Sequence, residues 1–193
     1  MRICVYGAAS STIDKEYITK VEQMGKEMVA RGHSLVFGGG GNGLMGAAAR
    51  GVREAGGHIV GVIPKFFEDE NIEALYKFCD ELIEPNTMRE RKQIMEDNAD
   101  AFIIVPGGIG TFEEFFEILT LKQLCRHNKP IAIYNLQNYY NEIILALKAA
   151  MEKNFLREDC KQLFFVSDDL EKVFAYVEAP QTPIKNVKEL KDG

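Results

Sequence analysis

Two short apolar runs in this 193-residue chain each end in a cluster of glycines that opens directly into a helical pattern. Ser34–Phe37 leads into Gly38-Gly39-Gly40-Gly41-Asn42-Gly43, and Ala101–Val105 leads into Pro106-Gly107-Gly108-Ile109-Gly110. A strand that passes through flexible backbone straight into a helix is half of a crossover unit, and crossovers join parallel strands. Such a chain is constrained to an α/β architecture in which both glycine loops lie at the carboxyl ends of strands. Ligands of open parallel sheets collect at that edge.

The remaining pattern agrees. Arg2–Gly7 reads as a buried strand, followed by a helix from Asp14 to Arg31 with Tyr17, Val21, Met24 and Met28 on one stripe and Gly32 as its stop. A small, glycine-tolerant helix is expected over Leu44–Ala55, then a strand over His58–Ile63 closed by Pro64. Residues 65–86 are mixed and acidic, and are expected to be loop with short elements. Helices follow at Thr87–Asn98, Thr111–Leu124, Tyr139–Lys153 and Leu170–Val177, with strands at Ile131–Tyr134 and Phe164–Ser167. Repeats, linkers and low-complexity segments are not evident. The expected fold is one Rossmann-like domain over 1–178, a mainly parallel sheet with helices on both faces, and a polar tail over 179–193 that is loosely held.

Charge and cysteine usage narrow the function. The formal net charge is −6 and Lys/Arg residues form no long run, which argues against a nucleic-acid groove. No apolar run can span a bilayer, and Met1 leads directly into the first strand, so a cytoplasmic location is expected without membrane contact. Cys4, Cys79, Cys125 and Cys160 show no CxxC spacing and His33, His58 and His127 are scattered, so neither a metal site nor a cofactor is assigned. An acidic chain that binds phosphate must concentrate positive potential locally, through backbone N–H groups and a few basic side chains.

Gly38–Gly46 supplies one candidate, with Gly39, Gly40, Gly41 and Gly43 as its anion-facing positions. Its six glycines in nine residues favour an anion nest over a merely tight turn. Gly41–Gly46 also satisfies G-x-G-x-x-G, yet the loop follows the second strand, and the third ends in Ile63-Pro64 without an acid to hold a ribose. No Gly-Lys-Ser/Thr is present. A mononucleotide is therefore expected. The second candidate, Gly107, Gly108, Ile109, Gly110 and Thr111, is followed at once by Glu113 and Glu114. Acids behind an anion site repel it unless they act elsewhere on the ligand. Thr111-Phe112-Glu113-Glu114 is also a capping-box sequence and as a tetrapeptide reads most simply as a helix cap, but the preceding glycines, at a second strand terminus beside the first loop, shift the balance towards chemistry.

Met88, Arg91 and Met95 share a helical stripe that turns Arg91 towards the protein. An inward guanidinium needs an anionic partner, either a structural carboxylate or a ligand phosphate. Lys92 borders the stripe, Arg89 is expected in solvent, and Thr87 with Glu90 forms a plausible cap.

Together these motifs resemble the Lonely Guy family of phosphoribohydrolases, long mislabelled as lysine decarboxylases. Pro106–Glu114 meets its P-G-G-x-G-T-x-x-E pattern, Gly38–Gly46 its G-G-G-x-x-G-L-M-G pattern and Met88–Lys92 its Met-x-x-Arg-Lys element. Thr87 and Arg89 stand where plant members usually have Asp and His. The resemblance runs from Arg2 to about Lys153. It implies a homodimer that hydrolyses cytokinin riboside 5′-monophosphates or AMP to free base and ribose 5-phosphate. It further implies Arg91 and Glu114 as catalytic residues, with substrate contacts from Arg91, Lys92, Gly108 through Glu114, Thr120 and, in the variable loop, Glu73.

Two rivals remain at this level. A nucleotide or pterin-cofactor carrier of the same fold needs the glycine loops but not the Arg91/Glu114 pair. A pyridoxal-dependent decarboxylase is disfavoured by the short chain and by the lack of a lysine in an evident cofactor setting. Dimerisation is expected from the helix Thr111–Leu124, whose Phe112, Phe115, Phe116, Ile118 and Leu119 form more apolar surface than one sheet face covers.

Overall fold

The computed structural model describes residues 1–70, 74–182 and 190, with the side chain of Glu68 set aside. Seven strands form one parallel sheet in the order β4-β3-β2-β1-β5-β6-β7. They are β1 (Arg2–Tyr6), β2 (Ser34–Phe37), β3 (Ile59–Val62), β4 (Glu81–Ile83), β5 (Ala101–Ile104), β6 (Ile131–Tyr134) and β7 (Phe165–Ser167). The helices are α1 (Lys15–Ala30), α2 (Gly43–Glu54), α3 (Phe66–Asp69), α4 (Met88–Asn98), α5 (Ile109–Gln123), α6 (Asn141–Glu152) and α7 (Leu170–Glu178).

Alternation along each strand divides the core into two layers. Ile3, Val5, Leu35, Phe37, Ala101 and Ile103 join Met24 and Met28 of α1, Ala47 and Ala48 of α2, and Val173 of α7. Cys4, Tyr6, Val36, Phe102 and Ile104 point the other way, onto Met95 of α4, Phe115 and Ile118 of α5, and Tyr140 just before α6. Strands buried on both faces read as continuous apolar runs, which is why the central strands were legible. β4 was not. It is three residues long, lies at the sheet edge, and leaves Glu81 and Leu82 exposed.

The chain leaves β1 towards β2 and returns beside β1 as β5, with Tyr6 opposite Ile104. Here the strand order reverses and the following loops part, leaving a crevice for a ligand.

Two helix starts differ from expectation for physical reasons. α5 begins at Ile109, not Thr111, because Gly108 serves as its N-cap. A 3-10 turn at Leu136–Asn138 delays α6 to Asn141. In the polar tail, Leu190 is buried with Cys160 and Leu163, and its carbonyl accepts from Gln123 Nε2 at 3.2 Å.

Candidate active site

Gly108 carries no side chain to cap α5, and Gly108, Ile109 and Gly110 are exposed, Ile109 at 86%. Its first intrahelical bond runs from Phe112 N–H to the Gly108 carbonyl at 3.0 Å. The preceding amides lie within the orphan donors of a helix start, where an anion is favoured. Thr111 is the third helical residue and is buried, so the capping-box alternative does not hold. Glu114 falls in the second turn, on the buried stripe Thr111, Glu114, Phe115, Ile118 and Lys122, and is 8% exposed. It faces the sheet because the helical period puts it there, too far along for a cap.

Arg91 approaches from α4. That helix is capped as expected: Thr87 Oγ1 accepts from Glu90 N–H at 3.1 Å, and Glu90 Oε2 accepts from Asn86 N–H at 2.8 Å. Arg91 is 5% exposed and shares the inner stripe with Met95. Met88, expected on that stripe, opens the helix and is exposed. Arg89 is exposed, as expected. The guanidinium donates to the Val62 carbonyl through Nε and to the Gly38 carbonyl through Nη2, each at 3.1 Å. Its carbon lies 5.5 Å from the centre of the Phe67 ring. Nη1 stands 3.9 Å from Glu114 Oε1, within ion-pair reach but beyond a hydrogen bond. The sequence left a structural carboxylate and a ligand phosphate as alternatives. Within the chain, Arg91 meets two strand-end carbonyls and Glu114.

Burial, reinforced by the Glu114 charge, pushes the Cys4 thiol up. The Tyr6 and Tyr140 phenols are likewise raised, chiefly by burial, so all three stay protonated.

Lys92 is held between α4 and α5 by Glu113 and by Glu117, the latter at 2.7 Å. Lys92 and Glu113 therefore engage one another. Thr120 lies exposed on α5, as does Phe116 one turn earlier at 40%, away from the Glu114 stripe. Glu73 lies outside the described residues.

The first glycine loop is largely committed within the chain. Gly41 N–H donates to Ala74 O at 2.6 Å, and Gly39 O accepts from Tyr76 N–H at 2.9 Å, flanking an antiparallel bridge from Gly40 to Leu75. The Ala8 carbonyl accepts from Leu44 and Met45 at 2.8 and 3.3 Å, stoppering the start of α2. Gly43 has φ +59°, and a Cβ there would collide with Ala8 O. At Gly38 a Cβ would run into the Arg91 guanidinium. These glycines permit close approach, and the second loop is left with the uncapped helix start.

A crevice of about 300 Å³ lies where β1 and β5 part, lined by Ala8, Ser10, Tyr17, Leu44, Gly107, Gly108 and Tyr139 among others. Larger hollows, of about 850 and 670 Å³, lie away from this switch point, and neither they nor the crevice are lined by Arg91 or Glu114. Sequence reasoning missed Ala8, Ser10 and Tyr139. Among the described residues no cluster of three or more His, Cys, Asp or Glu could hold a metal ion. Among the described residues no helix is long and apolar enough to cross a membrane.

A crevice at the switch point of a parallel sheet, beside an uncapped helix start, defines a Rossmann-like α/β protein. Residues 45–177 match the family model described as "possible lysine decarboxylase". A cytokinin riboside 5′-monophosphate phosphoribohydrolase of Arabidopsis thaliana is 34% identical over 178 residues, which is 92% of this chain and 77% of that protein. An enzyme of the same name from Oryza sativa subsp. japonica is 37% identical over 162 residues, covering 84% of this chain and 66% of its own length. The chain belongs to this Lonely Guy family. Among solved structures, the molybdenum cofactor carrier protein of Chlamydomonas reinhardtii superposes with a TM-score of 0.68 at 22% identity, covering 92% of this chain and 95% of that one. The molybdenum cofactor binding protein of Rippkaea orientalis gives 0.67 at 20% identity, covering 90% and 93%. At that identity the likeness shows the fold alone.

Proposed function

We propose that this protein hydrolyses the N-glycosidic bond of a purine or cytokinin nucleoside 5′-monophosphate, releasing free base and ribose 5-phosphate. The observation that carries this reading is the buried Arg91–Glu114 pair, which lies below the start of α5. A carrier of the same fold needs the crevice but has no use for that pair.

In this mechanism the amides at the start of α5 and the Thr111 hydroxyl hold the 5′-phosphate. Breaking the bond sends its electron pair to the base nitrogen and leaves positive charge on the ribose. The Glu114 carboxylate stabilises that charge, orients water and takes up the proton as the water oxygen joins the anomeric carbon. Arg91 holds the carboxylate in place. As a permanently charged guanidinium it is a poor proton donor to the leaving base. Remote phosphate binding positions the bond.

Incubation with AMP should yield adenine on a chromatogram. Adenosine should be a poorer substrate by about a hundredfold in kcat/KM, the loss expected from removing charge-assisted phosphate contacts. Equal efficiencies would mean that the helix start does not hold phosphate, and no adenine from AMP would remove the reaction itself.

The protein is further proposed to act as a homodimer. α6 contains Ile143, Ile144, Leu145, Leu147 and Met151 yet has no fully buried residue, and Leu145 is exposed. α5 adds exposed Phe116 beside Thr120, so Thr120 would meet substrate only across such an interface. Light scattering should give twice the 21.7 kDa chain mass at micromolar concentration. A value of 21.7 kDa would exclude the dimer.

A further inference from the structure

We propose that Tyr139 is a positioning residue that turns the donor side of the second glycine loop towards the phosphate of the substrate. The inference rests on the proposed binding of a nucleoside monophosphate at this site and adds a residue to it. Tyr139 comes from the turn between β6 and α6. Gln137 and Asn138, at the heart of that turn, have φ of 51° and 61°. Two successive non-glycine residues in the left-handed region are disfavoured and persist only where their surroundings fix them. Asn135 supplies the fixing: it is buried, its Oδ1 accepts from Tyr140 N–H at 2.8 Å, and its Nδ2 donates to Asn141 Oδ1 at 3.0 Å.

The turn delivers two adjacent tyrosines to one loop. The Tyr140 hydroxyl donates to the Val105 carbonyl at 2.8 Å and the Tyr139 hydroxyl to the Gly107 carbonyl at 2.7 Å. Between them, the Pro106 carbonyl accepts from Ala8 N–H at 3.1 Å, and beyond them the Gly108 carbonyl accepts from Phe112 N–H at 3.0 Å. Each carbonyl from Val105 to Gly108 thus has a donor within the chain. A peptide whose oxygen is held on one side presents its N–H on the other, so the loop meets the crevice with donors. Without its phenol, the Gly107 peptide could rotate and aim oxygen at an anion. Tyr140 is wholly buried, whereas Tyr139 is exposed and lines the crevice, so its loss alters the loop without opening the core.

The test is calorimetric binding of ribose 5-phosphate, AMP and adenosine to the full chain and to Tyr139→Phe, with AMP turnover measured on the same samples. Tyr139→Phe should weaken ribose 5-phosphate and AMP roughly tenfold, the effect of one lost orienting hydrogen bond. The KM for AMP should rise by the same factor, while kcat stays within about twofold and adenosine binding is unchanged. Tyr140→Phe should instead lower the melting temperature, because it strands a buried carbonyl. Unchanged ribose 5-phosphate affinity in Tyr139→Phe, or an equal loss for adenosine, would overturn the proposal. If the wild type binds ribose 5-phosphate but releases no adenine, hydrolysis falls while the affinity comparison still decides the role of Tyr139. If it binds neither phosphate ligand, both readings fall.

Discussion

Replacing Glu114 by glutamine should cut adenine release from AMP by roughly two to four orders of magnitude while leaving a folded protein that binds the nucleotide. Glutamine keeps the length and one oxygen of the side chain but loses its charge and basicity. Thr111 lies inside α5 with Gly108 as the cap, so Glu114 has no capping role to lose. What it does lose is the charge facing Arg91 Nη1 at 3.9 Å. That contact is longer than a hydrogen bond, and Arg91 keeps both of its carbonyl acceptors. Stability should fall by no more than about 2 kcal/mol. Melting temperature, AMP affinity and turnover should be read on one preparation. Near-normal turnover with unchanged stability would remove Glu114 from the chemistry.

Arg91 should behave differently, because it serves both fold and site. Arg91→Ala strands the Val62 and Gly38 carbonyls and removes the guanidinium that faces Glu114. A loss of about 3–5 kcal/mol is expected, enough to unfold a marginal domain. Arg91→Lys is the informative variant. An ammonium keeps the charge but cannot span both strand ends and Glu114 at once, as the planar fork does. It should fold with a lowered denaturation midpoint and lose about a hundredfold or more in kcat, with the KM for AMP changed less. A lysine variant as stable and active as the wild type would show that the fork geometry is immaterial.

The sequence disclosed that Arg91 turns inward, because it shares the helical stripe with Met95. It could not disclose the partners, since Val62, Gly38 and Glu114 meet only once the strand order is set. Periodicity placed Met88 on the same stripe without registering that a first-turn residue escapes burial. The Thr-x-x-Glu tetrapeptide has the same letters whether its helix starts at the threonine or two residues earlier, and Gly108 decided the matter. The glycines at Gly38–Gly46 were equally ambiguous, since a nest and a close packing contact both require the missing Cβ. The Ala8 carbonyl that fills the start of α2 is main chain and leaves no mark in the side-chain pattern. Tyr139 depends on left-handed backbone at Gln137 and Asn138, conformations that no hydrophobic period encodes.

That Ala8 carbonyl also bears on how the protein tells one nucleotide from another. The crevice runs between two helix starts, with Leu44 of α2 on one wall and Gly108 before α5 on the other. A dinucleotide-binding fold would offer N–H groups to a pyrophosphate at the first of these. Here that end presents an oxygen, already held by Leu44 and Met45. Under the proposed function a single phosphate at α5 has no need of that end, whereas a longer polyphosphate extending across the crevice would find the Leu44 and Met45 N–H groups already taken. Discrimination of this kind works by refusal and needs no additional contact with the favoured ligand.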